Sequence, residues 1–202
     1  VPMTEGSGLY LAGPALVKAA IGQEVSSDDL GGAQMHAGIS GTIDFQEPDD
    51  DACIKRLQSL MLANQAADTV SQPPIPPADP IRPPSDLYDV FTGNAIEQYD
   101  MVELLSCVVD EGSFDQYKSD YGKSLICAYA RIGGWPCGIV ANQRLITRRT
   151  MPTGTGGPPE SVNMPAVIYT DSADKAARFI MDCNQKHLPI IFVNDTNGFM
   201  VG

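Results

Sequence analysis

The chain of 202 residues is short of cationic side chains, of histidine and of long apolar runs, and each shortage removes a class of function. Its 13 Lys and Arg against 25 Asp and Glu leave a net charge of −12. That charge repels a polyphosphate backbone at long range and argues against general nucleic-acid binding. An anionic small molecule is still admissible, because a local cluster such as Arg144, Arg148 and Arg149 opposes the global sign. No stretch approaches the roughly 20 apolar residues that span a bilayer, and the first residues hold neither a basic segment nor an apolar signal core. His36 and His187 stand alone and make no metal site. Cys53, Cys107, Cys127, Cys137 and Cys183 are odd in number and contain no C-x-x-C pair, so they suggest neither zinc nor redox chemistry. A reducing compartment and buried, inert thiols are the simplest reading.

What is present is an ordinary globular composition, 43% hydrophobic and 19% charged, sufficient for one domain or two small ones. Because Val1 is not an initiator Met and both ends fall inside patterned sequence, we expect a longer natural protein. Proline is concentrated in one place, QPPIPPADPIRPPS at 72–85. Its rings fix φ and remove backbone donors, which predicts a stiff connector over residues 71–86 between a first region, 1–70, and a second, 87–202.

In the first region Gly13-Pro14 opens a helix that Gly22 closes. Ser26 and Ser27 offer caps to a short helix ending at Gly31-Gly32. Ile39, Thr42 and Ile43 suggest a bend and a short strand between Gly38 and Phe45. Asp49 and Asp50 start a helix whose Cys53, Ile54, Leu57, Leu60 and Met61 form a stripe, expected to lie against a core outside this chain. In the second region a helix begins at Asp100, with Val102, Leu105, Val108 and Val109 on one face. A turn of helix is expected near Phe114 to Tyr117. Leu125 to Ile132, Gly133-Gly134 and Trp135 to Ala141 read as a hairpin. The stretch from Asn142 to Pro165 is too long for an ordinary connection and reads as a functional loop or a mobile insertion. Asp171 or Ser172 caps a helix carrying Ala173, Ala176, Ala177, Ile180 and Met181, followed by an apolar, buried strand from Pro189 to Val193. A helix feeding a strand that ends in a Gly-containing loop is the α/β pattern in which ligands sit at strand C-termini.

Individually the motifs are weak. Gly154-Thr155-Gly156-Gly157 could cradle a phosphate but lacks the Lys-Ser/Thr of a P-loop, and a flexible loop is the better reading. Gly38-Ile39-Ser40-Gly41 falls short of G-x-S-x-G and reads as a tight turn. His36 is a base or a phosphate ligand at best, and more readily a hydrogen-bonded structural residue; His187 reads as a helix C-terminal cap. Arg144, Arg148 and Arg149 suit the phosphates of coenzyme A, although a solvated basic patch is the better reading. Asn194-Asp195-Thr196 fits a glycosylation sequon by chance. Local chemistry alone stops at an α/β domain.

The ordered set of blocks goes further. LAGPALVKAA at 11–20, GQEV at 22–25, LGGA at 30–33 with His36, Ser40, Gly41 and Asp44, then Tyr99-Asp100, Val109-Asp110 with Phe114, Tyr121-Gly122, ARI at 130–132, GIVAN at 138–142, KAARFI at 175–180 and GFMVG at 198–202 follow one family's order over nearly the whole chain. The chain resembles the carboxyltransferase (beta) component of biotin-dependent acyl-CoA carboxylases. The blocks at 11–14 and 198–202 look nearest the methylcrotonoyl-CoA and geranyl-CoA type.

The resemblance implies an α/β, crotonase-like β-β-α superhelix, here the end of its first half and the start of its second. It implies a ligase that forms a C–C bond by moving a carboxyl group from carboxybiotin, on a carrier partner, to the α-carbon of an acyl-CoA thioester. Backbone N–H donors can stabilise the oxyanions such a transfer needs, so a shortage of catalytic side chains is what it predicts. The principal glycine-rich donor loops are expected outside this chain, which alone is then inactive. Gly13, Pro14, Lys18 and Gly22 are implied to flank the acyl-CoA side, and Gly198, Phe199, Met200 and Gly202 the biotin side. A biotin carboxylase/biotin carboxyl carrier subunit, a homo-oligomer, and a bacterial cytoplasmic or eukaryotic mitochondrial-matrix location are implied with them. A biotin-dependent acyl-CoA decarboxylase and a non-catalytic assembly module are the competing readings.

Overall fold

The structure, a computed structural model, describes residues 1–63, 75–94, 96–151 and 160–200. Strand β1 (Pro2–Thr4) pairs in parallel with β2 (Phe45–Glu47). Between them, helix α1 (Pro14–Ile21) begins where Pro14 needs no donor and ends where Gly22, at φ 72°, returns its N–H to Lys18 O at 2.9 Å. Helix α2 (Ser27–Gly31) is capped by Ser26 Oγ, which accepts from Asp29 N at 3.0 Å. A single turn, α3 (Ala33–Met35), runs into a π-helical turn over His36–Ser40 that Gly41 terminates at φ 64°. Helix α4 (Asp50–Ala63) closes the first region.

After α5 (Leu87–Val90) and α6 (Met101–Leu105) the chain enters a four-stranded sheet. Strands β3 (Asp115–Tyr117), β4 (Leu125–Ile132) and β5 (Trp135–Asn142) pair antiparallel. Strands β6 (Thr147–Thr150) and β7 (Glu160–Asn163) form a separate hairpin, β8 (Val167–Ile168) follows, and α7 (Thr170–Gln185) leads back to β9 (Ile190–Val193). Strand β9 pairs in parallel with β5, giving the order β3-β4-β5-β9. The β4–β5 turn is fixed by buried Asp110, whose two carboxylate oxygens accept from Gly133 N and Gly134 N at 2.7 Å each. Both glycines have positive φ, the geometry whose twist matches a two-residue hairpin.

The sheet is covered on both faces. Strict alternation sends Leu125, Cys127 and Val140 toward α7, where Ala176, Phe179 and Cys183 meet them, and Ile126, Ala130, Cys137, Ile139 and Ala141 toward α6, where Met101 and Leu105 lie. Phe179 is fully buried and its ring lies 4.9 Å from that of Tyr129. Phe45, from the first region, joins this core through an edge-on contact with Tyr117 at 6.3 Å. Arg56 reinforces the join by pairing with Glu47 at 2.7 Å and with Asp115.

Several expectations change. The helical turn expected near Phe114 to Tyr117 is instead strand β3 from Asp115 on, because pairing with β4 outweighs a turn too short to hold itself as helix. Ile39 sits in the π turn and the strand starts only at Phe45. The face of α7 is rotated: Ser172, Lys175, Ala176, Phe179 and Cys183 are buried, whereas Ala173, Ala177 and Met181 are exposed. Its N-cap is Tyr169, and Ser172 reaches back so that its Oγ accepts from Tyr169 N at 2.9 Å. Helix α6 stops at Leu105, so Val108 and Val109 lie in the turns beyond it. Within the 142–165 stretch β6 and β7 pair antiparallel; residues 152–159, including Gly154 to Gly157, lie outside the described residues. Strand β9 is a sheet edge with Phe192 54% exposed. Among the described residues no helix is long and apolar enough to cross a membrane.

The sheet comes close to α7 at Gly138, where an added Cβ would stand 2.5 Å from Cys183 Sγ and 3.2 Å from the Phe179 ring. Gly138→Val forces both side chains off the sheet and is expected to lower stability by about 1–3 kcal/mol. Gly38→Ala, whose methyl group meets only Asp120 O at 3.9 Å, should change it little. Urea unfolding of both variants checks the contrast.

Candidate functional site

Because β5 and β9 are parallel, their C-terminal ends open on one edge, where α/β folds place ligands. Asn142, Gln143 and Arg144 follow β5, and Asn194 to Asn197 follow β9. They are tied together by side chains. Asn142 Oδ1 accepts from Asp195 N at 3.2 Å. Arg144, with 4% of its side chain exposed, places Nε 3.3 Å from Asp195 Oδ2 and donates to Asn197 Oδ1 at 3.2 Å. Tyr99 OH donates to the same Asp195 oxygen at 2.8 Å. Gln143 donates to Asp100 Oδ1 at 2.8 Å and accepts from Met101 N at 3.2 Å, while Asp100 caps α6 through Val102 N at 2.9 Å. The start of α6 and the exits of two strands are thus one hydrogen-bonded unit.

That unit feeds the loop ending in β10 (Gly198–Phe199), which pairs in parallel with β8. Asn197 N and Met200 N donate to Ala166 O and Ile168 O at 2.8 and 2.9 Å. Gly198 has φ 130°, a conformation L side chains rarely adopt, with no atom within 4 Å of where a Cβ would stand. Phe199 and Met200 beside it are exposed. The bare backbone and the apolar rim form an accessible edge held from behind by buried polar ties. Gly202 lies outside the described residues.

The other candidate residues are elsewhere. Gly13, Pro14, Lys18 and Gly22 belong to α1, which buries none of its residues. Lys18 Nζ lies 2.5 Å from Glu24 Oε1 in an exposed pair. Among the described residues no hydrogen bond or ion pair joins α1 to the Gly198 edge. His36 is structural: Nε2 donates to Leu9 O at 2.9 Å and Nδ1 lies 3.0 Å from Ser40 Oγ, so both nitrogens are used. His187 adopts φ 54° just beyond α7 and donates its backbone N–H to Asn184 O. The three arginines do not form a solvated patch, since Arg144 is buried, Arg148 pairs with Glu160 at 3.4 Å and Arg149 with Asp171 at 3.4 Å. All five cysteines are free, and burial pushes the thiols of Cys127, Cys137 and Cys183 up to about 11, which keeps them protonated. No group of metal-binding side chains occurs among the described residues.

Two further groups are perturbed. Burial, then the hydrogen bond to Asp195, pushes Tyr99 up to about 12. Burial brings Lys175 down to about 8, its Nζ donating to Tyr121 O at 2.7 Å and so tying α7 to the turn before β4. The network of Tyr99, Asn142, Gln143, Arg144 and Asp195 escaped sequence reasoning. Its only local signal was a polar residue at the end of each of two apolar strands, Asn142 and Asn194-Asp195.

The described residues thus place a glycine-bearing edge at the exits of the parallel strands of an α/β sheet. The carboxyl transferase domain family matches residues 1–202, and the chain belongs to it. It is 33% identical over 205 residues to the methylcrotonoyl-CoA carboxylase beta chain, mitochondrial, of Dictyostelium discoideum, covering 99% of this chain and 30% of that protein. It is also 33% identical over 210 residues to the biotin-dependent 3-methylcrotonyl-coenzyme A carboxylase beta1 subunit of Mycobacterium tuberculosis, covering 100% and 34%. Among solved structures, a transcarboxylase 12S hexamer with hydrolysed methylmalonyl-coenzyme A bound superposes at a TM-score of 0.77 with 29% identity, over 100% of this chain and 36% of that one. The fold is the crotonase-like α/β fold of the carboxyltransferases. The chain spans about a third of the length of these relatives.

The Tyr99 tie has a definite pH signature. A folded value of about 12 against an ordinary 10 means that its contribution is intact below pH 10 and is lost as pH rises toward 12. Tyr99→Phe should remove about 1 kcal/mol at neutral pH and make the alkaline fall over that window shallower than in the parent. Denaturant midpoints across the window check it.

Proposed function

We propose that this chain contributes adjoining parts of the two halves of an acyl-CoA carboxyltransferase, residues 1–70 from the acyl-CoA half and 87–202 from the biotin half, with 71–86 as the connector. The whole protein then moves a carboxyl group from carboxybiotin to a short or branched acyl-CoA of the methylcrotonoyl-CoA type. The observation that carries the reading is the Gly198–Met200 edge, a backbone bared by a positive-φ glycine and held by the Arg144–Asp195 tie, in a chain that belongs throughout to the carboxyl transferase family.

The residues at this edge fit biotin. Phe199 and Met200 offer an apolar wall to a thioether-containing ring, and Gly198 lets the backbone approach it without a side chain between. Carboxybiotin supplies the carboxyl group, presented by a carrier partner. This chain's task is positional: Asn142, Arg144 and Tyr99 hold Asp195 and Asn197, and these hold the edge. On the acyl-CoA side, Gly13 and Pro14 shape the start of α1, Gly22 ends it, and the exposed Lys18–Glu24 pair leaves an ammonium free to exchange its carboxylate for a coenzyme A phosphate. The uncovered side chains of α1, among them Leu16 and Ile21, and Ile54, Leu57 and Met61 of α4 are surface we assign to contact with the rest of a longer chain and with further copies. A biotin carboxylase/carrier subunit, and a cytoplasmic or mitochondrial-matrix setting, complete the proposal.

In the full-length protein, Gly198→Val should lower transfer and raise the apparent KM for free biotin by about tenfold while that for acyl-CoA stays put. Unchanged biotin kinetics, or a loss matched by a fall in Tm, would sink the biotin assignment. Residues 1–202 alone should transfer no radiolabelled carboxyl group to acyl-CoA when the biotin carboxylase components are supplied; full activity in that piece would contradict the placement of the donor loops outside it.

A further inference from the structure

At the end of the sheet opposite the Gly198 edge, a cavity of about 470 Å³ lies between α4, the β3-β4-β5 strands and the chain just after α7. Its walls include Leu60, Phe114 and Tyr129, with the cations Arg56, Arg131 and Lys186 around them. The size is within the usual range of small-molecule sites, which are apolar with a few placed polar groups and often lie where two parts of a chain meet. Here the first-region helix α4 meets the second-region sheet.

The three cations are not equivalent. Arg56 is neutralised by Glu47 and by Asp115, the one carboxylate on the cavity wall among its described lining residues. Arg131 and Lys186 have no carboxylate within ion-pair distance among the described residues. Lys186 Nζ rests 4.5 Å over the Tyr129 ring and 3.4 Å from its hydroxyl. Arg131 is held by its backbone, which bonds Asp110 and Ser113, while its Nε is shut from solvent with no acceptor. In a chain of net charge −12, two uncompensated cations over one apolar cavity are a local exception of the kind that binds a ligand.

We propose that this cavity binds a small organic anion with an apolar body, its carboxylate held by Arg131 and Lys186 and its chain lying against Leu60, Phe114 and Tyr129. The site is separate from the carboxyltransferase reading and does not depend on it.

Saturation-transfer NMR on the full-length chain, with hexanoate as probe and hexan-1-ol as its uncharged counterpart, tests the proposal. Hexanoate should bind about tenfold more tightly than hexanol, and Arg131→Met and Lys186→Met, which keep the apolar stems, should each weaken hexanoate about tenfold while leaving hexanol alone. Lys186 lies at the surface end of α7, so its variant keeps the test decisive if Arg131→Met fails to fold. Binding should persist under saturating coenzyme A. Equal binding of acid and alcohol, displacement by coenzyme A, or no hexanoate binding because other parts of the chain fill the cavity would each overturn it.

Discussion

The packing of Phe179 and Cys183 onto the bare backbone at Gly138 is the contact on which the rest of the structure depends. It lets α7 approach the sheet closely enough to bury Phe179 completely against Tyr117 and Tyr129. The helix thereby returns the chain so that β9 can lie parallel to β5. Parallel pairing of a sequence-distant strand needs such a crossover. Once it is made, the exits of β5 and β9 fall side by side and the Asn142–Asp195 and Arg144–Asp195 ties become possible. Packing at the middle of the sheet therefore sets the geometry of an edge several residues away.

Charge is used for location rather than for reactivity. Arg144 and Arg149 each meet an acid from another element, and Lys175 and Lys118 donate to backbone carbonyls of neighbouring turns. Lys118 also pairs with Asp44 at 3.0 Å, joining the two regions. Such partly buried pairs contribute modestly to stability because desolvation offsets much of their attraction, yet they fix which segments meet. A protein whose proposed chemistry rests on backbone donors has to hold loops in place, and these ties do that work here.

The hairpin, α1, α2 and the existence of α7 were legible because their signals are local: paired glycines, a proline at a first turn, a serine before a helix. The face of α7 was not, because its alanines carry little hydrophobic signal and the buried position 175 is a lysine, which only backbone carbonyls from a distant turn can satisfy. The stretch near Phe114 to Tyr117 was misread since so few residues hold no period, and only the presence of β4 makes Asp115 to Tyr117 a strand. The candidate site divides in the same way. Gly198 was legible as a glycine after an apolar run. The Tyr99–Asp195–Arg144 contact joins residues 96 apart in the chain at its widest and leaves no trace in spacing, and it is this contact that turns a supposed basic patch into the support of an edge.

The central claim is that the Gly198–Met200 edge faces biotin while α1 belongs to the acyl-CoA side. Hydrogen–deuterium exchange on the full-length protein, with a biotinylated carrier or with acyl-CoA added separately, tests it most directly. The account predicts slowed exchange at residues 196–200 with the carrier alone, and at residues 13–22 with acyl-CoA alone. Protection of residues 196–200 by acyl-CoA and not by the carrier would contradict it.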